Sequence, residues 1–411
     1  MVFVALRGEN FDGHDYVETA LNRGAAAIVV EGPQSEFVGR TISVPNTLVA
    51  YGRIARVWRG KFSIPVVAVT GSVGKTTVKE MLALTLSPLG PVLKSEKNEN
   101  NEIGVPQSLL RLNEKHRAAV IEMGMRGMGQ IAYLANIAEP NIGIVTMIGE
   151  SHIELLGSRE AIADAKGELV DFLNADGISV LNADDPFFRH LAAKTSGTIA
   201  SFGDSANVDV QVTRQTRIID GWNIVFRIDG EEHAVTLNSV AEHDVNNAAG
   251  AVAVAVAAGV SAKYAVAALA HYAPSDMRME LLTTASGATI ISDCYNAAPT
   301  SVKSALSTLA GLESTGRKSA FLGDMRELGP HSAQMHQEVA AEAERLGIKV
   351  IYSVGDLMPA AIVNSAASFS DSTLAAEYIK ENFSLSQGDV VLVKGSRALH
   401  LEKVVEALVQ L

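Results

Sequence analysis

Val66-Val67-Ala68-Val69-Thr70-Gly71-Ser72-Val73-Gly74-Lys75-Thr76-Thr77 is an apolar run that breaks into a glycine turn and then into a helical pattern. A short, unbroken apolar run ending this way reads as a strand buried on both faces. Glycines let the backbone wrap close to phosphate, and the helix N-terminus offers unpaired N–H groups. Lys75 adds a positive charge, and Thr76 is placed to give its hydroxyl to Mg²⁺. Gly71, Ser72, Val73, Gly74, Lys75, Thr76 and Thr77 are therefore the expected phosphate-binding residues. The spacing departs from the common phosphate loop at Ala68, where that loop has its first glycine.

The same alternation of short apolar runs and helical patterns continues on both sides, the mark of α/β architecture. Downstream, strands are expected at 118–121, 142–147 and 178–181. Residues 207–232 alternate and are punctuated by glycine, as antiparallel hairpins are. An Ala-rich helix at 246–258 and another reaching 272 precede Ala273-Pro274-Ser275, a boundary. Beyond it come strands at 289–292, 319–322, 350–353 and 390–393. Upstream, strands at 2–6, 26–30 and 41–44 and helices at 14–23 and 48–59 lead to the linker Phe62-Ser63-Ile64-Pro65. The expectation is three domains: 1–62, 63–273 with a mostly parallel central sheet, and a Rossmann-like 274–411.

A chain of 411 residues, 47% hydrophobic and 19% charged, has ample material for packed cores, which excludes disorder, collagen and coiled coil. Lys and Arg number 34 against 46 Asp and Glu, a net charge of −12. That balance argues against a nucleic-acid or anionic-membrane surface. Anionic small molecules can still bind where local groups or metal ions supply positive charge. Cys294 is the only cysteine, which excludes an internal disulfide and a multi-thiolate zinc site and fits a reducing cytoplasm. The longest weakly polar stretch, 248–260, is short of the roughly 18–20 residues of a membrane-spanning helix. The N-terminus carries no secretory pattern. It opens directly in a strand, and the start reads as clipped.

Ligands of open parallel sheets sit beyond the carboxyl ends of the strands, so the residues found there are the candidates. Glu122 ends the run 118–121 and reads either as a Mg²⁺ ligand or as a solvated strand end. His152, after the strand 142–147, reads as structural or as catalytic. Lys166 lies on the apolar face of a helix capped by Ser158, on the same side as Ile162 and Leu169. A lysine there is paired, uncharged, chemically altered, or snorkels to solvent. Gly167 costs about 1 kcal/mol in a helix interior and suggests that something nearby needs room. In the last segment, Asp293-Cys294-Tyr295-Asn296, Gly323-Asp324 and Lys394-Gly395-Ser396-Arg397 each follow a strand.

These motifs, in this order and over nearly the whole chain, resemble the Mur ligase family. The loop matches TGxxGKTT. Asn98-Glu99-Asn100-Asn101-Glu102-Ile103-Gly104-Val105-Pro106 resembles NxNNxIGVP, and Met277-Arg278-Met279-Glu280 resembles GRME. Glu122-Met123-Gly124-Met125, Ala165-Lys166-Gly167-Glu168, Leu181-Asn182-Ala183-Asp184-Asp185 and His243 with Asn246-Asn247 match as well. Residues 323–329 follow GDMxELG, with Arg326 at the open position. The resemblance implies an ATP-dependent, amide-forming ligase of peptidoglycan precursor synthesis that acts as a monomer. Its substrates are UDP-N-acetylmuramoyl-tripeptide and D-alanyl-D-alanine, joined through an acyl phosphate. It further implies that Lys75 holds ATP phosphates and that Thr76 and Glu122 ligate one Mg²⁺. His152 and a carbamylated Lys166 would serve a second ion. Asn247 would contact adenine, and Arg278, Asp293 and Asn296 would complete the ATP site. Asn98, Asn101, Tyr295, Lys394, Ser396 and Arg397 would bind the other substrates.

Two departures stand out. DDSYNANP reads Ser292-Asp293-Cys294-Tyr295-Asn296-Ala297-Ala298-Pro299, and the DSR element ahead of the first strand is absent. The alternatives are the family's diaminopimelate- or lysine-adding ligase, whose DNPR-type motif is not found here, and a non-catalytic nucleotide-binding relative.

Overall fold

A computed structural model describes residues 1–8, 10–32 and 39–411. Its strands form three sheets. The first is parallel: β1 (Val2–Val4), β2 (Ala27–Glu31) and β3 (Thr41–Val44). The second contains β4 (Val66–Thr70), β5 (Val92–Lys94), β6 (Ala118–Glu122), β7 (Ile142–Val145), β8 (Ile178–Asn182), β9 (Thr198–Gly203), β10 (Val210–Ile218), β11 (Gly221–Ile228) and β12 (Glu231–Leu237). Its spatial order is β12-β11-β10-β9-β8-β7-β4-β6-β5. The third holds β13 (Glu280–Thr283), β14 (Thr289–Ser292), β15 (Lys318–Gly323), β16 (Val350–Val354), β17 (Ala367–Phe369) and β18 (Val390–Lys394), ordered β13-β14-β18-β15-β16-β17.

β4 shows why the central sheet is layered. Val66 and Ala68 point into one core, with residues of the helices Gly104–Leu109, Gln130–Ala138 and Arg159–Phe172. Val67 and Val69 point into the other, against Lys75–Thr85 and His243–Ala257. Strict alternation of a wholly apolar strand fills both faces at once. β4 pairs in parallel with β6 on one side and β7 on the other, so its carboxyl end is the point where the strand order reverses. The expected hairpins at 207–232 are the antiparallel β10, β11 and β12.

Several expected bounds shift. The strand expected at 142–147 stops at Val145, because Thr146 turns its hydroxyl onto Val73 O at 2.5 Å and Ser72 N donates to Met147 O at 2.8 Å. The first strand stops at Val4, where Leu6 N donates back to Val4 O. The helix expected at 14–23 is a 3₁₀ turn, Gly13–Tyr16, followed by the α-helix Val17–Asn22. The Ala-rich helix starts three residues earlier than the expected 246, at His243, its polar first turn lying outside the apolar pattern. β5, β9, β13 and β17 were not expected from sequence. Ser158 does cap Arg159–Phe172, accepting from Ala161 N at 3.1 Å.

The helix Thr47–Arg59 docks the first unit onto the central one, packing on Gly104–Leu109 and Gln130–Ala138. Arg59, buried, donates to Ala138 O, Phe62 O and Glu139 O at 2.9–3.0 Å and so staples the linker. At the other junction Thr300 hydrogen-bonds Glu150, and Ser304 Oγ lies 2.8 Å from His243 Nδ1. No helix among the described residues is long and apolar enough to cross a membrane.

Candidate active site

The loop after β4 depends on two glycines. Gly71 has φ +149°, and a Cβ there would stand 1.8 Å from Thr146 Oγ1. Gly74, φ +87°, starts the helix Lys75–Thr85, and its Cβ would meet Asn247 Oδ1 at 2.6 Å. Only glycine combines that backbone with that closeness. The N-terminal turn of the helix therefore opens into a cleft of about 730 Å³ lined by residues 72–77 on one side and by Arg278, Asp293, Asn296 and Lys394 on the other. Lys75 Nζ folds back on Gly71 O at 2.9 Å. Burial pushes its ammonium pKa down; Glu122 works against that shift and Arg278 adds to it.

Glu122, 3% exposed at the end of β6, is held from three sides. Thr76 Oγ1 donates to Oε2 at 3.2 Å and Asn100 Nδ2 to Oε1 at 3.0 Å. Lys79 Nζ lies 3.6 Å from Oε2, and it also reaches Glu80 at 3.5 Å and Lys97 O at 3.4 Å. Sequence reading missed both Asn100 and Lys79. Lys79 follows Thr76 by one helical turn on the inward face, a spacing that could have flagged it. With Lys79 1% exposed, its charge has no access to water, and removing it strands a buried carboxylate. Lys79→Met is expected to cost about 3–5 kcal/mol of unfolding free energy. Urea denaturation measures this, and a loss below about 1 kcal/mol would mean that Thr76, Asn100 and the nearby Lys75 already compensate Glu122.

Across the cleft, Lys394 is 2% exposed and clamps the loop after β14. Its Nζ is 2.5 Å from Asp293 Oδ2 and donates to Asn296 O at 3.0 Å. Arg278 lies over the Tyr295 ring at 4.3 Å, a cation–π contact that fixes its guanidinium at the cleft mouth. A wider groove of about 1810 Å³ opens beside the cleft. It shares Lys75, Arg278 and Asn296 with the cleft and adds Asn101, Glu122, His152, Tyr295 and Glu327.

Other expected residues take different places. Asn247 sits behind Gly74, its amide donating to Asp244 Oδ1 at 2.9 Å, while His243 and Asp244 line the cleft instead. Asn98 is exposed and lines neither cavity. Asn101 Oδ1 accepts from Ile103 N and Gly104 N, a helix cap at the groove's rim. His152 Nδ1 lies 2.6 Å from Glu327 Oε2 in the last unit. Lys166 is 2% exposed, with no carboxylate or hydrogen-bond partner among the described residues. Burial, with Lys75 adding like-charge repulsion, holds its ammonium pKa well below the ordinary value. Snorkelling is thus excluded for Lys166. The room at Gly167 belongs to Lys194, whose Cδ would lie 2.7 Å from a Cβ there, and not to a ligand. Ser396 and Arg397 line a third cavity next to the other two. In the altered motif Ser292 and Cys294 are buried, and burial pushes the Cys294 thiol up to about 11, whereas the third change, Ala298, lines the cleft and the third cavity.

No three His, Cys, Asp or Glu side chains among the described residues form a metal cage. Mg²⁺ needs none: it keeps waters and takes one or two carboxylates with phosphate oxygens. The Thr76 hydroxyl beside the Glu122 carboxylate, next to the phosphate loop, fits that demand.

Residues 1–58 match the catalytic domain of the Mur ligase family, 69–255 its middle domain, and 277–397 its glutamate ligase domain. The chain belongs to the Mur ligase family. Among Mur ligases, it is 35% identical to the UDP-N-acetylmuramoyl-tripeptide–D-alanyl-D-alanine ligase of Bacillus subtilis (strain 168), over 100% of this chain and 90% of that one. The crystal structure of MurF from Acinetobacter baumannii superposes with TM-score 0.91 at 32% identity, covering 99% and 90% of the two chains. MurF ligase from Thermotoga maritima, in complex with ADP, gives 0.89 at 29% identity, covering 99% and 93%. The three-domain Mur ligase architecture is therefore that of this chain.

Proposed function

We propose that this Mur ligase uses ATP to join D-alanyl-D-alanine to UDP-N-acetylmuramoyl-tripeptide in peptidoglycan precursor synthesis. The observation that carries the reading is the cleft in which the phosphate loop of one domain faces Arg278, Asp293 and Lys394 of the next. ATP phosphates lie on the loop N–H groups and on Lys75, with the nucleoside toward His243, Asp293 and Asn296. Thr76 and Glu122 would hold Mg²⁺, which when bound would offset phosphate charge. The tripeptide carboxylate enters from the groove past Asn101 and Tyr295, and residues 1–62 hold its uridine diphosphate end.

Two anions meet here on an acidic protein, so local cations decide reactivity. Lys75 and Arg278 draw the tripeptide carboxylate toward the γ-phosphate. A carboxylate oxygen bonds to phosphorus, the bond to ADP breaks, and an acyl phosphate results. The dipeptide amine then attacks the acyl carbon, loses a proton, and phosphate leaves. Lys166 carries CO₂ as a carbamate: its neutral amine adds CO₂ and releases a proton. The carbamate would turn the repulsion with Lys75 into attraction and would offer an oxygen ligand to a second Mg²⁺, as would His152 if released from Glu327. The protein works as a monomer in the cytoplasm.

The test is phosphate release from ATP. It is expected to require both the UDP-tripeptide and D-alanyl-D-alanine, and to be silent with either alone. Phosphate release supported by another amino acid, but not by the dipeptide, would assign the chain to a different ligase of the family.

A further inference from the structure

We propose that Arg326 reads the C-terminal carboxylate of the incoming dipeptide and so sets specificity for a dipeptide over a single amino acid. The inference rests on the ligase reading above. It comes from the third cavity, about 590 Å³, formed where the loops after β14, β15 and β18 meet Ser151 and His152. This cavity shares Ser151, Asn296 and Ala298 with the nucleotide cleft, and His152, Asn296 and Glu327 with the wide groove. A molecule seated in it borders both of the other reactants.

The walls suit small methyl groups: Ala297, Ala298, Ala398 and Leu328. The charges are unequal in their engagement. Arg397 is already paired with Glu402 at 2.9 Å, and Glu327 faces His152 at 2.6 Å. The Arg326 guanidinium is exposed at the cavity and has no carboxylate or hydrogen-bond partner among the described residues. Arg326 is therefore the unengaged guanidinium of this cavity, a fork that matches a carboxylate with two hydrogen bonds.

Its backbone, in contrast, is tightly held. Arg326 N donates to Ser396 Oγ at 2.9 Å, Ser396 N donates to Asp324 O at 3.1 Å, and Met325 N donates to His336 Nε2 at 3.0 Å. The Asp324 carboxylate in turn accepts from Asp356 N, Leu357 N and Met358 N at 2.8–3.0 Å. A rigid loop thus presents a free cation. An extended dipeptide spans roughly 7 Å. With its carboxylate at Arg326, the amine end reaches toward the neighbouring cleft where the acyl phosphate forms. A single amino acid is about half that length and cannot hold both ends.

The experiment compares wild type and Arg326→Gln by phosphate release, with D-alanyl-D-alanine and with its C-terminal amide. Wild type is expected to disfavour the amide. In Arg326→Gln the KM for the dipeptide rises roughly 10- to 100-fold, the scale of a lost charge-assisted hydrogen bond. The KM values for ATP and UDP-tripeptide stay within about two-fold, the acid and the amide become equivalent, and Arg326→Lys recovers part of the loss. An unchanged dipeptide KM in Arg326→Gln, or persistent discrimination against the amide, overturns the assignment while leaving the ligase reading intact. Absence of any wild-type turnover of the dipeptide overturns both.

Discussion

Lys75→Ala loses ligation by at least about 10²–10³-fold in kcat, the scale of removing one preorganised electrostatic donor. Lys75 is the lysine that the phosphate loop turns into the cleft, and its resting hydrogen-bond partner among the described residues is the Gly71 carbonyl, 2.9 Å away. Phosphates displace that weak contact and gain a full positive charge in a water-poor cleft. The same substitution does not lower stability. Burial already disfavours the ammonium and Arg278 adds to that, with Glu122 pulling the other way, so little folding free energy rests on Lys75. Turnover and thermal melting of the purified variant check both halves. Near-wild-type turnover in a folded protein would sink the loop assignment.

Lys166→Arg is expected to be inactive, and Lys166→Ala to regain part of its activity with a small added carboxylate such as acetate. Lys166 is 2% exposed beside Lys75 and has no counter-ion among the described residues. Its depressed pKa means that the amine is neutral over a wider pH range, and the neutral amine is the form that takes up CO₂. Arginine stays charged at every accessible pH and cannot form the carbamate. Mass spectrometry with ¹³C-bicarbonate, under conditions that preserve carbamates, reads the modification independently of turnover. An active Arg variant, or an unmodified lysine in bicarbonate-grown crystals, would refute the idea.

The strand-loop-helix at 66–77 was legible because its physics is local. An apolar run of that length buries as a strand, and the glycine turn presents N–H groups whatever surrounds it. The same holds for Ser158 as a helix cap and for Lys166 on a buried face, both fixed by helical periodicity within one segment. The α/β class and the antiparallel 207–232 region follow from alternation in the same way.

What packing between distant segments decided was not legible. Glu122 owes its three partners to Thr76, Lys79 and Asn100, which the chain places 46, 43 and 22 residues away. Gly167 makes room for a lysine 27 residues downstream, which no local pattern reveals. His152 meets Glu327, and Lys394 meets Asp293, only because domain docking and parallel strand order bring their loops to one edge. Residue type and period express short-range sterics and burial. Which charge neutralises which depends on through-space distances of a few ångströms, and those exist only once the sheets are assembled.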